Sequence, residues 1–95
     1  MDEIFGCTAV VTGAASGIGR ALSLRFGAEG LNLVLADIDN AGLKAVAREL
    51  QPLNVPVLAR ATDVSRVEEL EALAEAAYER FGGVQMLCNN AGVGV

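Results

Sequence analysis

Three glycines, Gly13, Gly17 and Gly19, form the pattern in this sequence that most directly indicates a binding function. They follow an apolar segment, residues 7–12, that is typical of a buried strand, and they lead into residues 18–29, where the sequence predicts a helix. N–H groups in the first turn of a helix have no acceptor within the helix, and the helix dipole adds partial positive charge there. Because glycine has no side chain, a phosphate group can approach those N–H groups closely. The turn therefore predicts a pyrophosphate site.

The spacing of this turn, Gly-x-x-x-Gly-x-Gly, is not one of the commonest phosphate-binding patterns. It differs from the Gly-x-Gly-x-x-Gly of the usual dinucleotide fingerprint and from the glycine–lysine pattern of a P-loop. By itself it is also compatible with a tight strand-to-helix turn that binds no ligand. The residues at the other strand ends must therefore be considered together with it.

Apolar segments alternate with amphipathic ones along the rest of the chain. Residues 31–36, 57–62 and 84–89 are predicted strands two, three and four. Helix two begins at a cap, either Asp39 or Asn40, and its apolar residues recur at helical spacing. Apolar strands separated by helices predict an α/β fold with a parallel sheet that is covered on both faces.

Helix three is predicted to begin with a capping box in which Ser65 and Glu68 exchange hydrogen bonds with the backbone. We expect Tyr78 to be a packing residue, because it lies on the predicted apolar face of this helix. The residues of that face are Val67, Leu70, Ala74, Ala77, Tyr78 and Phe81.

Each predicted strand ends in a polar or glycine-containing turn, and in an open parallel sheet these turns meet where ligands bind. Asp37 follows strand two, 24 residues after Gly13, which suits a carboxylate that accepts hydrogen bonds from an adenosine ribose. It could instead be a solvated strand end or a cap on helix two. Asp63, after strand three, could accept from an adenine amine or serve only the local turn.

Asn89 and Asn90 follow strand four. Asn90 could bond to ribose hydroxyls or satisfy its own backbone. For Asn89 we expect a structural role, in which its side chain ties strand four to the neighbouring strand.

Composition excludes several classes of function. The net charge is −5 and there is no basic cluster, so we expect no nucleic-acid partner. No apolar segment approaches the roughly 20 residues of a membrane span, and the acidic N-terminus lacks the positive start of a signal peptide. Cys7 and Cys88 are interpreted as core residues in a reducing compartment, so we expect a cytoplasmic protein. The chain has no histidine, and we predict no metal site.

Four motifs occur in register: Thr-Gly-x-x-x-Gly-x-Gly from Thr12, Asp37 after strand two, Asp-Val at 63–64, and Asn-Asn-Ala-Gly at 89–92. Together they closely resemble the N-terminal part of short-chain dehydrogenases/reductases, over residues 5–93. The resemblance implies the N-terminal half of a doubly wound Rossmann fold that binds NAD(P). Four parallel strands in the order 3-2-1-4, with three helices, are then expected.

The resemblance also implies a role for each strand end. The glycine turn would hold the pyrophosphate, and Asp37 would contact the adenosine ribose with Ile38 beside the adenine. Asp63 and Val64 would hold the adenine, and Asn90, Ala91 and Gly92 would lie at the nearby ribose region. The predicted cofactor-binding residues are Gly13, Ser16, Gly17, Ile18, Gly19, Asp37, Ile38, Asp63, Val64, Asn90, Ala91 and Gly92.

The cofactor is expected to be NAD rather than NADP. A 2′-phosphate carries about two negative charges, which Asp37 would repel. Members of the family that prefer NADP often have a basic residue just before the middle glycine or just after strand two. Here those positions hold Ser16 and Ile38.

No residue of this chain can be assigned a catalytic role. The family's Tyr-x-x-x-Lys signature is missing, because Gly82 stands four residues after the single tyrosine, Tyr78, and the single lysine is Lys44. We therefore expect residues 1–95 to be an incomplete NAD(P)-binding domain without turnover, from an enzyme of about 250 residues.

By this resemblance the chain is the cofactor-binding portion of an NAD(P)-dependent oxidoreductase. The complete enzyme would act on the alcohol or carbonyl group of a small-molecule substrate and form a homo-oligomer. The alternative is a non-catalytic module that binds nucleotide or pairs with another subunit. An open apolar edge on strand four would favour association.

Overall fold

The computed structural model describes residues 6–90, which form a parallel sheet with helices on both faces. The elements are β1 (Thr8–Thr12), α1 (Gly17–Ala28), β2 (Asn32–Asp37), α2 (Asn40–Leu50), a short 3-10 turn (Gln51–Leu53), β3 (Val57–Ala61), α3 (Val67–Phe81) and β4 (Met86–Asn89). The strand order is β3-β2-β1-β4, and every pairing is parallel. This architecture confirms the predicted fold.

The two central strands, β1 and β2, are buried on both faces, as near-continuous apolar runs predict. Alternate residues of these strands face opposite sides of the sheet. On one side they pack with residues of α2, and the buried cluster is Ala9, Val11, Ala14, Leu31, Leu33, Leu35, Leu43, Val46 and Leu50. On the other side they pack with α3, and the cluster is Val10, Val34, Ala36, Leu73 and Ala77. Burial of these central strands fixes the position of their carboxyl ends.

Helix α2 begins directly after β2, and the structure decides between its two candidate caps. Asp39 is the N-cap, and its Oδ1 accepts a hydrogen bond from Gly42 N at 3.0 Å. Asn40 is the first residue of the helix. The cap therefore lies only two residues beyond Asp37, at the end of β2.

The predicted capping box on α3 is wrong. Arg66 is the N-cap and makes no side-chain cap. Ser65 donates its hydroxyl to Asp63 Oδ1 at 2.6 Å instead, and Glu69 rather than Glu68 reaches back, accepting from Asp63 N at 2.7 Å. A carboxylate two residues before the serine competes for its hydroxyl, and this local turn displaces the capping box.

The prediction that Tyr78 is a packing residue is also wrong, since 67% of it is exposed. The row that faces the sheet contains Leu73, Ala77 and Phe81, spaced four residues apart. The parallel row with Tyr78 lies beside β4. It lines an open apolar cavity of about 380 Å³, together with residues of β1 and the β4 region.

Strand β4 pairs with β1 and forms one edge of the described sheet. Its Leu87 is 67% exposed and lines the apolar cavity beside α3. Cys88 in β4 packs against the buried cluster, whereas Cys7 lies just before β1 and is half-buried. Within residues 6–90, none of the helices has the length and apolar character needed to cross a bilayer.

Candidate functional site

A cavity of about 270 Å³ lies at the carboxyl ends of the central strands. It is formed where the turn after β1 meets the ends of β2 and β4. The residues that line it are Gly13, Ser16, Gly17, Ile18, Gly19, Asp37 and Asn90, all of which were predicted from the sequence. Parallel strands bring together residues that lie far apart in the chain, and this explains how the cavity is built.

Other predicted residues lie apart from this cavity. Ile38 does not line it, and its side chain is 75% exposed. Asp63 and Val64, after β3, do not line it either. Ala91 and Gly92 lie outside the described residues. The described cavity is thus built around the glycine turn, Asp37 and Asn90.

Two features of the turn require glycine. Gly13 and Gly17 have positive φ angles of 65° and 58°, a region that residues with a side chain rarely adopt. A Cβ added at Gly19 would lie 1.9 Å from Gly13 O. The start of α1 can therefore approach the end of β1 only because Gly19 has no side chain.

The N-terminus of α1 has no side-chain acceptor. Ser16 is the N-cap, but it makes no side-chain cap, and the first turn contains no acidic residue. The N–H groups of Gly17, Ile18 and Gly19 precede the first possible intrahelical bond and have no acceptor in the helix. These residues line the cavity, so an anion there would meet unpaired donors and the positive end of the helix dipole.

The carboxylate of Asp37 joins two backbone segments. Its Oδ2 accepts a hydrogen bond from Ala15 N, in the glycine turn, at 3.0 Å. Its Oδ1 accepts from Asp39 N, also at 3.0 Å. The interpretation of Asp37 as a cap on α2 is wrong, because Asp39 caps that helix. Sequence reasoning missed Ala15, since an alanine gives no signal for a bond made by its backbone.

Thr12 connects the ends of β1 and β4. Its hydroxyl donates to Asn89 Oδ1 at 2.7 Å and accepts from Asn90 N at 3.0 Å. The predicted structural role of Asn89 is confirmed by this contact. The Nδ2 atom of Asn90 is buried and has no hydrogen-bond partner within the described part of the chain. A buried donor without an acceptor is unusual, and this one belongs to a residue that lines the cavity.

Asp63 is engaged in its own turn. Its Oδ1 accepts from Ser65 N at 3.0 Å and from the Ser65 hydroxyl at 2.6 Å. The hydroxyl contact, followed by the N–H contact, lowers the pKa of Asp63 below its ordinary value. These contacts are the local turn chemistry that the sequence allows for Asp63 besides a ligand contact.

Residues 6–90 contain no group of three or more histidine, cysteine, aspartate or glutamate side chains placed to hold a metal ion.

The family of this protein follows from its match to a family model. The model described as short chain dehydrogenase matches residues 7–95. The chain belongs to the short-chain dehydrogenase family. Several curated dehydrogenases and reductases are similar to it over most of its length.

One similar protein is the 1-deoxy-11-beta-hydroxypentalenate dehydrogenase of Streptomyces exfoliatus, which is 47% identical over 85 residues. The alignment covers 90% of this chain and 31% of that relative. The chain thus spans about a third of the length of this curated relative.

Solved structures that share the fold include the following two examples. A short chain dehydrogenase/reductase from Burkholderia phymatum in complex with NAD is 42% identical, with a TM-score of 0.87, and the match covers 92% of this chain and 31% of the other. Actinorhodin polyketide ketoreductase with NADPH is also 42% identical, with a TM-score of 0.87, and the match covers 92% and 33%.

Proposed function

We propose that this chain forms the dinucleotide-binding part of an NAD(H)-dependent short-chain oxidoreductase that acts on alcohol or carbonyl groups. An uncapped helix N-terminus and a buried amide without a partner meet in one cavity, and this observation carries the proposal. The first-turn N–H groups of α1 and Nδ2 of Asn90 would both be donors to a dinucleotide in this cavity. Family relatives with NAD or NADPH bound make a nicotinamide dinucleotide the natural ligand.

The pyrophosphate would bind at the start of α1. Gly17 lines the cavity, and a Cβ added there would meet no atom within 4 Å, so the space in front of it is open. A phosphate oxygen in this space would accept hydrogen bonds from the first-turn N–H groups. Asn90 Nδ2 would donate to an oxygen of the bound molecule, which removes the cost of a buried donor without an acceptor.

The adenosine ribose would bind at Asp37, which lines the same cavity. We propose a preference for NAD(H), because a 2′-phosphate next to this carboxylate would be repelled. Ile38 supplies no compensating cation. Asp63 and Val64 would contact the adenine, and Ala91 and Gly92 the neighbouring ribose region, as the family resemblance implies.

We assign cofactor binding, and not proton transfer, to these residues. Tyr78 is followed four positions later by Gly82, so it is not part of a Tyr-x-x-x-Lys motif. It also lies on α3, among residues that line the apolar cavity between that helix and β4. When bound, the nicotinamide would supply the group that gives or accepts a hydride. The 95 residues alone are expected to show no turnover.

Binding of NADH to the purified protein, followed by NADH fluorescence, tests this function. Gly17→Ala would place a methyl group where the pyrophosphate is expected, and NADH affinity should fall by at least about tenfold. Gly82→Ala is the matched control, because Gly82 also has a positive φ, of 79°, and open space around its Cβ position. In both variants the strained φ should lower the free energy of unfolding by a similar amount, roughly 1–2 kcal/mol.

The comparison of these variants separates binding from stability. We expect Gly82→Ala to bind NADH as the unaltered protein does, because Gly82 caps the distant end of α3. Equal affinity losses in both variants, or no NADH binding by the unaltered protein, would contradict the proposed function.

A further inference from the structure

We propose that Asp37 is a positioning residue for the glycine turn, in addition to its place beside the ribose. Its carboxylate holds the turn in the shape that presents the N–H groups of α1 to a pyrophosphate. This inference rests on the proposed function and deepens it. Asp37 would then contribute to the binding of both the pyrophosphate and the adenosine ribose.

Two consecutive residues of the glycine turn donate backbone hydrogen bonds to the end of β2. Ala14 N donates to Ala36 O at 3.1 Å, a backbone contact that any sequence could make. Ala15 N donates to Asp37 Oδ2 at 3.0 Å, and this contact needs a side-chain oxygen at position 37. Ala15 directly precedes Ser16, the N-cap of α1. The direction in which the helix begins therefore depends on the hydrogen bond to Asp37.

The carboxylate is itself held in place from the other side. Asp37 Oδ1 accepts from Asp39 N at 3.0 Å, so both oxygens are oriented by backbone N–H groups. Packing supports the same contact, because a Cβ added at Gly42 would lie only 2.8 Å from Ala15 Cβ. The start of α2 thus lies directly against the glycine turn. Such a carboxylate is a fixed anchor rather than a freely rotating side chain.

The carboxylate of Asp37 can hold the turn and still accept hydrogen bonds from a ligand. An ionised carboxylate offers about four acceptor sites, two on each oxygen. One site on each oxygen is used by Ala15 N and Asp39 N. The remaining sites are available to ribose hydroxyls, so Asp37 can hold the turn and contact the ribose together.

Inorganic pyrophosphate distinguishes the two roles, because it has no ribose. If Asp37 were only a ribose ligand, its removal would leave pyrophosphate affinity unchanged. If it were only a nearby negative charge, its removal would tighten pyrophosphate binding. If it positions the turn, its removal weakens binding even though a repulsive charge is lost. The expected change therefore has the opposite sign to the electrostatic one.

Calorimetric titration of the purified protein with pyrophosphate, without divalent metal, makes this measurement. We expect Asp37→Ala to weaken binding by about tenfold. Asp37→Asn keeps an oxygen that can accept from Ala15 N, and it should rescue affinity to within about threefold of the unaltered protein. Asp39→Asn is the matched control, because it removes one charge from the connection between β2 and α2, close to Asp37, while asparagine still caps α2. It should bind pyrophosphate as tightly as the unaltered protein, or more tightly.

The Ala15 amide gives a spectroscopic signature of the contact. Hydrogen exchange measured by NMR should show Ala15 N–H protected in the unaltered protein and in Asp37→Asn. Protection should be lost in Asp37→Ala, while that of Ala14 N–H, which bonds to Ala36 O, should be kept. A general loss of structure would remove both. If Asp37→Ala does not fold, Asp37→Ser replaces it, because the serine oxygen is one bond nearer the backbone than the aspartate oxygen that accepts from Ala15 N at 3.0 Å.

Each outcome is decisive. Positioning is overturned if the unaltered protein binds NADH and Asp37→Ala binds pyrophosphate as tightly or more tightly. It is also overturned if Ala15 N–H is unprotected in the unaltered protein. If the unaltered protein binds neither NADH nor pyrophosphate, the proposed function fails, and the positioning role fails with it.

Discussion

Gly19 lies directly against the carbonyl group of Gly13, so that a Cβ added at Gly19 would be only 1.9 Å from Gly13 O. The first turn of α1 and the end of β1 are therefore in backbone-to-backbone contact. No side-chain rotation can relieve an overlap with a carbonyl oxygen. The close contact brings the helix N-terminus to the strand end, where the cavity lies.

Gly19→Ala is expected to destabilise the protein by about 3 kcal/mol or more, because the backbone must move to admit the methyl group. Chemical denaturation measures the free energy of unfolding. Gly83→Ala is the control, since a Cβ there would meet Gln85 Nε2 at an ordinary 3.6 Å. It should change stability by no more than about 0.5 kcal/mol. A small effect at Gly19 would contradict the close packing.

Thr12→Val should destabilise the protein by about 1–3 kcal/mol, because valine has the shape of threonine but lacks the hydroxyl. The change would leave Asn89 Oδ1 and Asn90 N without their shared partner. NADH affinity should also fall, since Asn90 lines the cavity. Thr12→Ser keeps the hydroxyl and should retain more NADH affinity than Thr12→Val. Equal affinities in the two variants would show that the hydroxyl does not position Asn90.

The sheet could be predicted from sequence because its central strands are buried on both faces. Strands such as β1, with all five residues buried, give apolar runs that leave little ambiguity. The motifs at the strand ends were equally informative, since the parallel topology brings them to one edge. The predicted strand order rested on family resemblance, and the observed pairings agree with it.

The parts that sequence reasoning missed depend on competition between nearby groups. On α3, Leu73 and Tyr78 belong to adjacent rows with the same spacing, and only the packing of the helix shows which row faces the sheet. At its start, Asp63 takes the hydroxyl of Ser65 that a capping box would need. The contact between Asp37 and Ala15 uses a backbone N–H, so no residue type indicates it.

Ile38→Arg is expected to raise NADPH affinity by about tenfold or more, because a guanidinium group forms charge-assisted hydrogen bonds with a 2′-phosphate. Ile38 is 75% exposed, so its replacement should not disturb the core. Fluorescence titration would compare NADPH with NADH, whose affinity should change little. Ile38→Gln controls for the longer polar side chain without the charge. If the unaltered protein binds NADPH as tightly as NADH, the proposed preference is wrong.

Ser65→Ala is expected to raise the pKa of Asp63 towards its ordinary value of 3.8. The hydroxyl of Ser65 is the main cause of the lowered pKa, and the Ser65 N–H contact remains in the variant. A group whose pKa is lowered by folding stabilises the protein above its unfolded pKa, and this contribution is lost as the pH falls through the folded pKa. The stability difference between the two proteins should therefore shrink at acid pH.

Titration of the Asp63 carboxyl group by NMR measures this shift. Ser65→Thr keeps a hydroxyl and should leave the pKa of Asp63 lowered. An unchanged pKa in Ser65→Ala would mean that the hydroxyl contact is not maintained in solution.

Leu87→Lys is expected to reduce self-association of the protein. Leu87 is 67% exposed at the edge strand β4 and lines the apolar cavity beside α3, where a charged side chain opposes burial against another molecule. Light scattering coupled to gel filtration, over a range of protein concentrations, measures the change. Val67→Lys is the matched control, because Val67 is also 67% exposed but does not line this cavity. If both variants reduce association equally, general surface hydrophobicity rather than the β4 edge is responsible.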